Sequence, residues 1–349
     1  MKQLLDATQS DWKKEQRSLR ARFIAATSEA IASHHQSVTA WSAEMHSAMP
    51  GIQWDAGTVE LGFGSIPRRL GAGGQQWEEL DVLLNRRHTA VLGDPGAGKT
   101  TTLRRLAHHV AQEPDRAVGD DFRFVVLVVC RDEPWKDLSL HRSICTKLGI
   151  TGRLAGDLDD PDTRLYQLLN AGAIVLIDGL DEVPAQHRIE LEREIVRLGR
   201  HLHGGKVVLS CRSADFESLE GFDIAEIQPL APAQIREVVF TVLGEADAQA
   251  FYEAVQRPGH PAADLANRPL FLAQMTAIFA THGTIPDRPS DLCDAITRLV
   301  IQEWDEKRRV RRSSKYAEFS LTEKRQFLAD LAFALIRRDL LRFEASRVW

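Results

Sequence analysis

The chain has 349 residues, 44% of them hydrophobic, enough for a sizeable core and two or three domains. Lys and Arg number 44 against 49 Asp and Glu, a net charge of −5, so bulk charge gives no support to nucleic acid as the main partner. The first residues, MKQLLDATQSDWKKEQ, lack a secretory apolar core and the strongest apolar run, FVVLVVC, is too short to cross a bilayer; with Cys130, Cys145, Cys211 and Cys293 at no metal-type spacing, the expectation is a reduced, cytoplasmic protein with no membrane partner.

Residues 1–56 read as an N-terminal helical segment. Trp12, Leu19, Phe23, Ile31, Val38, Trp41 and Met45 share one helical face, and Pro50-Gly51 ends it. The plain expectation is a helix or hairpin packed on the next domain; the alternative is an interaction segment. The glycine-rich stretch GTVELGFGSIPRRLGAGG reads as a linker with one short strand, and QQWEELDVLLNRR as a helix. Five apolar runs follow: TAVLG, FRFVVLVVC, AIVLIDG, KVVLSCR and IAEIQPL. Several are apolar on consecutive positions, as in strands of a parallel sheet buried on both faces. With helical segments between them, residues 57–230 read as an α/β, doubly wound domain. Strand signals then stop. Residues 231–285 read as a helical domain and 286–349 as a further helical region.

The stretch GDPGAGKT fits the pattern G-x-x-x-x-G-K-[ST] between a strand and a helix, the fold context that a phosphate-binding loop requires. Gly93, Asp94, Pro95, Gly96, Ala97 and Gly98 let backbone N–H groups curl around phosphate oxygens, continuing into Lys99, Thr100 and Thr101 at the helix N-terminus. Lys99 is placed to bridge β- and γ-phosphates, and the Thr100 hydroxyl to bind Mg²⁺. Asp178, at the end of AIVLID, is the expected second holder of the metal. Asp181 and Glu182 add an acidic pair to orient the attacking water, and Arg212, ending VVLSCR, is placed to reach the γ-phosphate. Pro269, in LANRPLFLAQM, reads from spacing as a helix start. The run KRRVRR at residues 307–312 reads as a solvated helix end rather than a nucleic-acid contact.

Together GDPGAGKTT, VLIDGLDE, LSCR and ANRPLFLAQM resemble the NACHT family of STAND signalling ATPases, which includes NOD-like receptors and bacterial relatives. The resemblance spans about residues 60–345 and makes residues 286–349 the start of an incomplete winged-helix domain. It implies a switch that ADP closes and ATP opens for homo-oligomerisation, with Mg²⁺ as cofactor, a trigger and an effector as further partners, and a setting in bacterial antiphage defence. It also implies that Pro269 packs near the adenine and that Arg212 senses the γ-phosphate. The family's completed winged helix, with a histidine on the ADP β-phosphate, and its repeat sensor do not fall within these residues. Two readings from other classes stand beside it: a turnover motor ATPase acting with nucleic acid, and a scaffold that binds nucleotide without hydrolysis. The N-K-x-D base-reading motif of GTPases is absent, which favours ATP over GTP without deciding between them.

Overall fold

The computed structural model describes residues 32–43, 61–65, 76–77, 83–111, 124–136, 139–150, 161–255, 257, 259–260, 262–309 and 320–338. The chain divides into two compact units, separated between Pro229 and Leu230.

In the first unit the apolar runs form the strands expected of them. The strands are β1 (Phe63–Gly64), β2 (Gln76–Trp77), β3 (Thr89–Leu92), β4 (Phe124–Val129), β5 (Ala173–Asp178), β6 (Lys206–Cys211) and β7 (Asp223–Ile227). They build one sheet in the order β2-β1-β7-β3-β6-β5-β4. The five strands from β7 to β4 are parallel, and β1 and β2 extend the edge antiparallel. Every residue of β3, β4, β5 and β6 is buried, which is why these strands carry no polar alternation.

Flanking helices close the core. Leu103 and Leu106 of the helix Lys99–Ala111 are fully buried, as is Ile195 of the helix Ala185–His201. Leu165, Leu168 and Leu169 of the helix Pro161–Asn170 join the same core cluster. One expected helix is corrected. QQWEELDVLLNRR does not run as a helix throughout: Gln76–Trp77 is a strand paired with Phe63–Gly64, and among the described residues of this stretch 83–85 are helical. Backbone pairing at the sheet edge outweighs local helical pattern here.

Of the N-terminal segment, residues 32–43 are described and helical, with Val38 and Ser42 buried; Trp12, Leu19, Phe23, Ile31 and Met45 lie outside the described residues. The helix covers an edge. β4 ends the strand order, and its Leu127 N–H donates to His34 Nε2 at 3.0 Å. Trp41 lies under the Arg104 guanidinium, 5.1 Å from ring centroid to Cζ. An edge strand that finds a side-chain acceptor is a blunted edge.

The second unit is helical throughout its described residues, with helices Pro232–Leu243, Glu245–Val255, Ala262–Ala266, Pro269–His282, Pro289–Arg309 and Leu321–Ile336. Phe251 and Phe279 meet edge to face at 5.5 Å. Pro269 is the first residue of its helix, and Gly283 ends that helix with φ 70°. Lys307–Arg309 end the helix Pro289–Arg309; the rest of KRRVRR lies outside the described residues.

Burial, with Lys147 and His35 nearby, lowers the His34 pKa from 6.5 to about 4. The folded ring therefore binds fewer protons than the unfolded one between these values. Its contribution is complete above pH 6.5 and fades as pH falls towards 4. Hydrogen-exchange protection of the Leu127 amide should fall over that window in the parent chain. His34→Gln, whose amide oxygen still accepts but does not titrate, should keep it. Equal pH dependence in both proteins would show that His34 does not hold this edge.

Candidate nucleotide site

The site is assembled by the sheet order. β6 lies between β3, which feeds the glycine-rich loop, and β5, which ends at Asp178. The C-terminal ends of three parallel strands thus bring Gly93–Thr101, Asp178–Glu182 and Ser210–Arg212 together.

The loop between β3 and the helix Lys99–Ala111 turns on glycines. Gly98 has φ 105°, a backbone conformation that favours glycine, and a Cβ there would also press on Leu61 Cδ1 at 3.0 Å. The Ala97 N–H donates to the Asp94 carbonyl at 3.1 Å, and Thr102 N–H to the Gly98 carbonyl at 2.8 Å as the helix begins. Lys99 Nζ folds back on the loop, donating to the carbonyls of Gly93 at 2.9 Å and Asp94 at 3.2 Å. Burial lowers its pKa below the usual lysine value, opposed most by the Asp181 charge. Pro95 is exposed, and Gly96 and Thr101 are half-buried.

Asp178 is 5% exposed and fully engaged. The Thr100 hydroxyl lies 3.1 Å from both its oxygens, and Ser210 Oγ donates to Oδ1 at 2.6 Å. Ser210 Oγ in turn accepts the Gly179 N–H at 2.8 Å. The sequence reading did not single out Ser210. Its signal was a lone hydroxyl in KVVLSC, an otherwise apolar buried strand with Lys206 at its other end.

Gly179 has φ 81°, and a Cβ there would meet Glu182 Cδ at 3.0 Å, so the glycine makes room for the Glu182 carboxyl. The turn Leu180–Glu182 follows. Asp181 departs from Asp178: its two oxygens take Arg212 Nε at 2.8 Å and the Arg212 N–H at 3.0 Å. Glu182 is exposed as a residue, but its carboxyl is partly shielded where it folds over Gly179; this raises its pKa, with Arg131 opposing and the neighbouring Asp181 and Asp178 charges adding. Arg131, at the end of β4, is a further cation beside the acidic turn that sequence reading passed over.

The three carboxylates therefore do not converge on one cation. Among the described residues no group of three His, Cys, Asp or Glu side chains is arranged to hold a metal ion. A Mg²⁺ ion in such loops takes few protein ligands and keeps waters and phosphate oxygens. The oxygen pair of Thr100 and Asp178 fits that demand. Pro269 belongs to the second unit, at the start of its own helix.

A mostly parallel sheet flanked by helices, with a glycine loop at one strand end and an acid two strands away, defines a P-loop NTPase fold. Within that class, residues 87–246 match the NACHT domain. No curated protein matches it. Among solved structures, a Walker-type ATPase of Pyrococcus abyssi is similar at 16% identity and a TM-score of 0.37, over 67% of this chain and 74% of that one. A STAND protein with a tetratricopeptide-repeat sensor from Pyrococcus horikoshii aligns at 13% identity and a TM-score of 0.39, over 63% of this chain but 31% of that one. The Drosophila ORC bound to DNA aligns at 14% identity and a TM-score of 0.38, over 73% and 64% of the two chains.

Ser210→Ala leaves the buried Gly179 N–H and one Asp178 oxygen short of a partner, each at a cost of about 1–3 kcal/mol. The variant should melt several degrees below the parent, and Ser210→Thr should restore most of the difference. An unchanged Tm in Ser210→Ala would remove Ser210 from the support of Asp178.

Proposed function

We propose that the chain is a NACHT-type nucleotide switch that binds Mg-ATP, hydrolyses it slowly, and differs in self-association between its ADP and ATP states. The observation that carries this reading is the meeting of Lys99, Thr100 and Asp178 with the Arg212–Asp181 pair at adjoining strand ends. Lys99 and the loop amides bind the β- and γ-phosphates. Thr100 and Asp178 hold Mg²⁺, which when bound offsets the phosphate charge. Arg212 meets the γ-phosphate and so distinguishes triphosphate from diphosphate. The acidic turn after Asp178 orders the attacking water.

Pro269 as a contact of the adenine, the ADP-closed and ATP-open oligomerising states, a setting in antiphage defence, and a separate trigger and effector all rest on the NACHT resemblance. The absence among the described residues of any helix long and apolar enough to cross a membrane is compatible with a cytoplasmic setting. ATP over GTP rests on the missing N-K-x-D motif.

The chain purified without added nucleotide and then denatured should release near-stoichiometric ADP. Lys99→Ala, which removes the ammonium from the loop, should release none and lose ATP binding by about two orders of magnitude or more. Turnover should be slow and indifferent to DNA. Retained binding in Lys99→Ala would overturn the phosphate-loop assignment. Fast, DNA-stimulated hydrolysis would overturn the switch in favour of a motor.

A further inference from the structure

Two adjacent acids, Asp181 and Glu182, share the three-residue turn after β5, yet they lie in different surroundings. The Asp181 side chain is 5% exposed, and both its oxygens are engaged by one residue, Arg212. Oδ1 accepts the Arg212 backbone N–H at 3.0 Å and Oδ2 meets Nε at 2.8 Å. This is a two-point hold on backbone and side chain together. It fixes the start of the Arg212 side chain relative to β6 and leaves the outer guanidinium edge open. The Arg212 side chain is 43% exposed, and its two Nη groups meet no acceptor among the described residues. Glu182, by contrast, is exposed and folds over Gly179.

We infer that Asp181 is a positioning residue for Arg212, presenting its two Nη groups to the terminal phosphate of a nucleoside triphosphate, and that Glu182 is the carboxylate left to act on water. This assignment rests on the nucleotide reading above and divides the work of the acidic turn within it. The chemistry favours the division. A carboxylate with both oxygens committed to a guanidinium and an amide is a poor acceptor for a water proton, whereas an exposed carboxylate keeps its lone pairs. A guanidinium presents its donors in a fixed plane, so holding Nε sets where both Nη groups lie.

The test is the ratio of ATP to ADP affinity, measured by calorimetry on the full chain with turnover recorded alongside. Arg212→Ala and Asp181→Ala should each reduce the ratio by about five- to tenfold, because each removes the same oriented charge-assisted contact. The double variant should be no worse than either single variant, as expected of two residues acting as one unit. Glu182→Gln should instead keep the ratio and lower turnover by about a hundredfold. Asp181→Asn, which keeps an acceptor for the Arg212 N–H, should fold as the parent does and is the variant to read if Asp181→Ala does not.

An Asp181 variant that folds, keeps the parent ratio and loses turnover would overturn the proposal and make Asp181 the water-orienting acid. Additive losses in the double variant would also overturn it, as would a parent chain that binds ATP and ADP equally. Those failures are distinct from failure of the site itself, which would show as a parent that binds neither nucleotide or a Lys99→Ala variant that binds both.

Discussion

The site depends on one buried carboxylate. Asp178 closes a strand in which every residue is buried, and a charge in such a place is costly unless it is hydrogen-bonded. Its partners come from two separate elements: Ser210 from the neighbouring strand β6, and Thr100 from the helix that follows the glycine loop. Satisfying Asp178 therefore requires the end of β5, the end of β6 and the start of that helix to be in register at once. Ser210 extends the tie by accepting the Gly179 N–H, which anchors the first residue of the acidic turn. The geometry at the strand ends is set by folding before any ligand arrives, which is what preorganisation means for a polar site.

Strand order supplies the rest. Because β6 lies between β3 and β5, its last residues are next to both the phosphate loop and the acidic strand. Ser210 and Arg212 are two apart in sequence and serve two different acids, Asp178 and Asp181. A strand inserted anywhere else would separate these partners. The loop itself satisfies the Lys99 ammonium with its own carbonyls, so a buried cation has acceptors in the structure and can exchange them for phosphate oxygens.

Much of this was legible in the sequence, and for a physical reason. Strands buried on both faces must be continuously apolar, and a loop that wraps phosphate must carry glycine where φ is positive; both are local demands written in adjacent residues. The α/β fold, the helical region after it and the loop from Gly93 to Thr101 were readable on that basis. Partnerships across the sheet were not. Nothing local says that Asp181 faces Arg212 while Asp178 faces Thr100, because that follows from which strands are neighbours. The same neighbours divide the acids: Asp178 meets Thr100 and Ser210, while Asp181 meets Arg212. Gln76–Trp77 was illegible for the same reason: its helical surroundings in sequence are overruled by an antiparallel partner upstream, with Phe63 opposite Trp77 and Gly64 opposite Gln76.

The charge arrangement carries a last consequence. Three cations, Lys99, Arg131 and Arg212, stand at or beside the strand ends with three acids, Asp178, Asp181 and Glu182. Arg212 is already matched by Asp181, and Glu182 lies where burial and the neighbouring carboxylates oppose its ionisation while Arg131 favours it. A polyphosphate entering such a site meets a local field that the protein's own cations do not make strongly positive. On the proposed reading, a divalent ion held by the oxygens of Thr100 and Asp178 would add positive charge beside the phosphates. It would then serve nucleotide binding as much as reaction, because the acidic turn balances the cations at the strand ends.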